Sequence, residues 1–160
     1  MMEKKPIFYE VQQFRQWWVW TILIGVSVLV PGSMITAVAT EPEVPVALVI
    51  LPVVIMGVLL FWMWKTALIT RVEKEGIYIK FTYFHKNFKF YPWDTIRYCE
   101  VKKYNPTMDY GGWGIKPGAY NVSGNMGMLI QFTRRDNLMI GTNKPQELSE
   151  ALTSIGKLKE

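Results

Sequence analysis

The chain reads as two apolar runs, then a stretch of short alternating segments, then one segment of helical period. The first run covers residues 17–39. As a helix rising about 1.5 Å per residue it would be about 34 Å long, enough to cross a hydrocarbon core of about 30 Å. The second begins at Val44 or Val46 and ends at Trp64; its roughly 20 residues are also enough. The intervening Thr40-Glu41-Pro42-Glu43 predicts a tight acidic turn outside the bilayer. Lipid offers the backbone no hydrogen-bond partners, so both runs are expected to be helices despite their many Val and Ile residues. The expected organisation is an N-terminal segment over 1–16, a transmembrane hairpin over 17–64 (spans 17–39 and 44–64) and a folded domain over 65–160.

After Lys65 the period shortens to two. Strands are expected over residues 67–73, 77–83, 88–91, 96–104, 119–122, 127–133 and 137–140. Lys74-Glu75-Gly76 and His85-Lys86-Asn87 serve as turns. β-Branched and aromatic runs with such punctuation predict an antiparallel meander of about seven strands. Residues 105–118, rich in Gly and Pro, read as a loop. Pro145 opens a helix expected to reach about Leu158, with Leu148, Ala151, Leu152 and Ile155 as its apolar stripe. Such a helix would cover one end of a small curled sheet. The fold class is thus a membrane α-hairpin plus an α+β domain, a β-barrel or sandwich closed by a C-terminal helix.

Charge adds an orientation. Lys4, Lys5 and Arg15 precede the first span, Lys65, Arg71 and Lys74 follow the second, and the turn holds no Lys or Arg. The positive-inside rule places both termini in the cytoplasm. Trp17, Trp18 and Trp20 at one end and Trp62 and Trp64 at the other mark the same interface. The rival reading is a cleaved signal peptide ending near Ala37-Val38-Ala39; the run is long for that, and cleavage would leave few residues before the second span. Pro31, Gly32 and Pro52 read as tolerated kinks. Gly25, Ser27, Gly32, Ser33 and Gly57 could admit a close neighbouring helix. Neither span holds an ionisable residue, which argues against a transporter or pump.

The whole chain carries a net +5, and residues 65–160 alone hold fifteen Lys/Arg against nine Asp/Glu, a net +6. Behind a membrane anchor the nearest anion is a lipid headgroup. One cysteine, Cys99, allows no internal disulfide, and Cys99 and His85 alone cannot form a structural zinc site. Cys99 reads as a buried inert thiol and His85 as a solvated turn residue. No nucleophile or acid/base constellation is present, so no catalytic residue, cofactor or metal is expected. No nucleic-acid module is recognisable.

A meander of two small sheets capped by a C-terminal helix resembles a pleckstrin-homology domain. Two membrane helices followed by this unit resemble bacterial membrane proteins with PH-like domains. The wording Gly111-Gly112-Trp113-Gly114-Ile115, Ala119-Tyr120-Asn121-Val122-Ser123-Gly124, Leu138-Met139-Ile140-Gly141-Thr142 and Lys144-Pro145-Gln146-Glu147-Leu148 is similar to one uncharacterised family of that kind. The resemblance implies the fold, the topology and a place in the bacterial inner membrane, and little about chemistry. Lipid-binding PH domains grip phosphoinositides with basic residues on an early hairpin. Lys80, Lys86 and Lys89 straddle the corresponding hairpin here, without that characteristic pattern. Basic side chains near an anionic leaflet still gain about 1 kcal/mol each. Lys102, Lys103, Arg134 and Arg135 could form a second patch. Trp113, in a glycine-rich loop that is not a phosphate loop, is a further candidate contact. The expectation is a membrane-anchored module that contacts anionic lipid or recruits a membrane or cytoplasmic protein. The alternative is an assembly subunit acting through its hairpin.

Overall fold

A computed structural model describes residues 5–40 and 45–159. The acidic turn at Glu41 and Glu43, and Lys4, lie outside the described residues. The chain divides into two units. One is Phe14–Lys65; the other joins the residues before Phe14 to everything from Thr66 onward.

In the first unit α1 (Trp17–Thr40) and α2 (Ala47–Lys65) run through Pro31 and Pro52 and touch each other. Both are long and apolar enough to cross a membrane. Neither contains a buried residue. A helix this apolar with no buried residue is unsuited to water. The hydroxyls of Thr21, Ser27, Ser33, Thr36 and Thr40 all donate to carbonyls three or four residues earlier in α1, so α1 satisfies these polar groups internally, as an apolar solvent requires. A side chain at Gly25, Gly32 or Gly57 would meet nothing, so these glycines do not serve the contact between α1 and α2.

The second unit holds two sheets. Sheet A has the order β1 (Phe8–Gln13), β2 (Ala67–Val72), β3 (Gly76–Phe81), β4 (Lys89–Pro92), all antiparallel. Sheet B is formed by β5 (Ile96–Lys103), β6 (Gly114–Lys116), β7 (Ala119–Asn121), β8 (Met126–Phe132) and β9 (Leu138–Gly141), in the order β5-β8-β9-β7-β6. The β7–β9 pair is parallel, so the unit is not the all-antiparallel meander that alternation predicts. Helix α3 (Pro106–Tyr110) lies between β5 and β6, and α4 (Pro145–Ser154) packs on β5, β1 and β8. The arrangement is sandwich-like. Its core joins Leu68, Val72, Ile77, Ile79 and Phe81 of sheet A, Met128, Ile130 and Ile140 of sheet B, and Leu148 and Leu152 of α4.

Nine strands among the described residues replace the expected seven. One addition, β6, lies with α3 inside the stretch read as a loop. Asn105 caps α3 through its side chain, which accepts from the Thr107 and Met108 amides, Pro106 follows, and Gly111 ends the helix in the left-handed conformation. Each is an ordinary helix signal, compressed here into five residues. Helix α4 stops at Ser154, short of Leu158, because Gly156 turns left-handed. The chain then lies beside β5, with Cys99 and Leu158 bridged in parallel.

The other addition is β1. Residues 1–16 carry no expected element, yet β1 pairs with β2 along its whole length, Phe8 opposite Val72 and Gln13 opposite Ala67. The apolar hairpin is therefore inserted between two neighbouring strands of one sheet. Three residues connect β1 to α1 and one connects α2 to β2.

Candidate functional site

Alternation in Phe8-Tyr9-Glu10-Val11-Gln12 would place Tyr9 and Val11 inward and Glu10 and Gln12 outward. The structure has the opposite arrangement. Glu10 and Gln12 are buried, while Tyr9 and Val11 are each 45% exposed. The Glu10 carboxylate accepts from the Thr142 hydroxyl at 2.6 Å and from the Asn143 amide at 2.7 Å. The Gln12 amide donates to the Gly141 carbonyl. Burial raises the Glu10 pKa above its ordinary value, opposed by the bonds from Thr142 and Asn143. Polar groups on the inner face of β1 thus clip it to the end of β9 and the start of α4.

The outer face of sheet A carries the apolar residues that this inversion releases. Tyr9, Arg71, Tyr78 and Phe90 lie opposite one another across the four strands, and Val11, Ile69 and Lys80 form the next row. The Tyr78 and Phe90 rings stack at 4.5 Å. The Arg71 guanidinium lies 5.2 Å from the Tyr9 ring centre and 4.8 Å from that of Phe88. The Lys80 ammonium lies 5.7 Å from the same Phe88 ring. Cations over aromatic faces gain a quadrupole attraction and hold the rings in place. The Arg71 Nε is buried with no hydrogen-bond partner. Phe90 also borders a cavity of about 550 Å³ lined by Asp94, Thr95, Arg134 and Arg135, among others. Arg135 is committed to stacking, 3.6 Å from the Phe132 ring centre.

The sequence candidates separate on this frame. Lys80 belongs to the outer face. Lys89 points to the other side, where its ammonium donates to the Tyr120 hydroxyl at 2.6 Å, bridging the two sheets. Lys86 is exposed in the connection between β3 and β4. Trp113 belongs to sheet B, beside the β6 edge, where its indole donates to the Gly124 carbonyl. The residues that sequence reasoning missed are Tyr9, Arg71, Tyr78, Phe88 and Phe90. Tyr78 and Phe90 were legible as strand residues, but only cross-strand register brings them together.

His85 is not a solvated turn side chain. Its Nδ1 accepts from the Phe81 amide at 3.1 Å, and its ring meets Tyr120 edge-on. Burial, with Lys89 nearby, holds its pKa below the ordinary value, consistent with an Nδ1 that stays unprotonated. Cys99 is fully buried in β5, and burial pushes its thiol up to about 12. A thiol that is neither exposed nor ionised is unreactive. The native chain in detergent is expected to leave Cys99 unmodified by an aromatic disulfide reagent, and to release one equivalent of thiolate only on denaturation. Rapid modification before unfolding would contradict this burial. Among the described residues no three His, Cys, Asp or Glu side chains gather as a metal site.

No curated protein and no solved structure matches the chain. A protein-family model does match it, over residues 4–157, which is nearly all of both units. On that match the chain belongs to DUF6141, a family of unknown function.

Proposed function

We propose that this chain is a membrane-anchored, non-catalytic binding module. Its hairpin spans the bacterial inner membrane with both termini in the cytoplasm, and its sheet unit, a PH-like sandwich, presents the outer face of sheet A to a protein partner. The carrying observation is the inversion of β1. Burying a carboxylate and an amide while exposing Tyr9 and Val11 wastes the hydrophobic effect in a free domain. It makes sense where something covers the outer face. The cations Arg71 and Lys80, held over the rings of Tyr9 and Phe88, favour a partner surface that mixes carboxylates with apolar side chains. Two sheets with a C-terminal helix support the PH-like reading, and two helices long and apolar enough to cross a membrane support the anchor.

The test uses the full chain in native membranes with a photo-crosslinking amino acid at Tyr9 or Phe90, and at exposed Met108 as the control. A discrete protein adduct from the first two positions, absent at Met108 and lost on Arg71→Glu, is the expected result. Adducts to lipid alone would replace the protein partner with anionic headgroups. No position-dependent adduct would remove the docking face altogether. Assembly through the hairpin is the other reading, supported by the open surface at Gly25, Gly32 and Gly57. It predicts instead that crosslinks arise from α1 and α2 and survive Arg71→Glu.

A further inference from the structure

We infer that the connection between β3 and β4 is an interfacial anchor, in which Tyr83 and Phe84 enter the headgroup region of the bilayer and Lys86 meets lipid phosphate. The inference rests on reading α1 and α2 as membrane spans, and it adds a second attachment that fixes how the sheet unit is held.

Chain connectivity gives the first reason. Ala67 is two residues past Lys65, where α2 ends, and two residues span at most about 7 Å. Thr82 is hydrogen-bonded to Ala67, its amide donating to the Ala67 carbonyl at 2.8 Å and its hydroxyl accepting from the Ala67 amide at 2.6 Å. Tyr83 is the next residue. The Lys74-Glu75 turn, by contrast, is at the far end of the same strands. Exposed Trp62 and Trp64 close α2, and indoles mark the level of the headgroups.

Composition and conformation give the second. Tyr83 is 64% exposed and Phe84 51%, two neighbouring aromatics beside an exposed lysine. That is the residue set of a membrane interface. Tyr83 is also the one non-glycine residue among those described with a positive φ, 67°. Glycine would adopt that conformation without strain, so a tyrosine there is held at a free-energy cost. The turn is rigid as well. The Phe81 carbonyl accepts from the Phe84 and His85 amides, and the Phe81 amide donates to His85 Nδ1. The Phe84 ring rests edge-on against buried Phe81 at 5.5 Å. A pre-organised turn loses little freedom on entering an ordered interface.

A nitroxide at Asn87→Cys reports the depth of this turn with Tyr83 and Phe84 intact, in the full chain in nanodiscs of phosphatidylcholine and phosphatidylglycerol. Labels at Lys74→Cys and at Val54→Cys in α2 are the water and lipid references. The Asn87 label is expected to collide with a water-soluble nickel chelate several-fold less often than the Lys74 label, while remaining open to oxygen. That shielding should disappear in Tyr83→Gly/Phe84→Ser. Tyr83→Gly alone should leave hydrogen exchange in β3 and β4 unchanged or slower, showing that the tyrosine does not serve stability. An Asn87 label as open to nickel as the Lys74 label overturns the inference. So does one shielded from nickel and oxygen alike, since protein would then cover the turn. If the Val54 label lacks the oxygen-rich signature of lipid, the membrane-span reading has failed and takes the anchor with it. A lipid-like Val54 with a water-like Asn87 rejects the anchor alone.

Discussion

Leu152→Ala is expected to destabilise the sheet unit by about 3 kcal/mol, within the range usual for a fully buried leucine. Leu152 is completely inaccessible to solvent, as are Leu68, Met128 and Ile130. Its helix, α4, is the last element to cover the core, and it packs on strands of both sheets. Deleting the side chain removes buried apolar surface and leaves a void that rigid neighbouring strands cannot fill. Gln146→Ala, exposed on the same helix, is the control and should change stability by under about 0.5 kcal/mol. Denaturant titration of the full chain in detergent, followed by tertiary circular dichroism, reads both. Equal effects of the two substitutions would show that α4 is not part of the core.

Glu10→Ala should loosen β1 by about 2 kcal/mol, the range for leaving buried donors without their acceptor. It removes the acceptor for the Thr142 hydroxyl and the Asn143 amide together. Hydrogen exchange of the β1 amides in the full chain should then quicken about thirty-fold. The pH dependence has a definite sign. Burial raises the Glu10 pKa above 4.5, so the folded state holds this proton more tightly than the unfolded chain. Its contribution is fully present below about pH 4.5, the unfolded value, and is lost as pH rises through the folded value. β1 protection should therefore fall over that interval in the native chain. Glu10→Gln, which cannot ionise, should lack that fall; its single acceptor oxygen keeps one of the two bonds, so its protection should lie between those of the native chain and Glu10→Ala. A flat native profile would mean that the bonds from Thr142 and Asn143 balance desolvation, and protection rising with pH would mean that they outweigh it.

These two substitutions probe different parts of the design. Leu152 tests an apolar core of ordinary kind. Glu10 tests a strand held in place by polar clips because its apolar side is turned outward. On the proposed reading, that outward side is the working surface, and the hairpin inserted between β1 and β2 keeps it at the membrane.

Elements that carry their own period were legible from the chain alone. The two apolar runs became α1 and α2 almost residue for residue, and most strands from Ala67 onward, with the opening of α4, followed from alternation, turn residues and Pro145. A helix or exposed strand can be read locally because its periodicity is imposed by backbone geometry and burial of one face. β1 could not be read that way. Its buried Glu10 and Gln12 are satisfied by Thr142, Asn143 and Gly141, about 130 residues later, and no local pattern announces so distant a partner. The parallel β7–β9 pairing and the grouping of Tyr9, Arg71, Tyr78 and Phe90 are of the same kind. Lys80 and Lys89, close in sequence and alike in charge, end on opposite sides of sheet A because the β3–β4 register sets Lys89 opposite inward-facing Ile79. Local sequence therefore decided which segments are helix or strand, and tertiary pairing decided which faces look outward and which residues meet there, because register and long-range hydrogen bonds exist only once the sheets have closed.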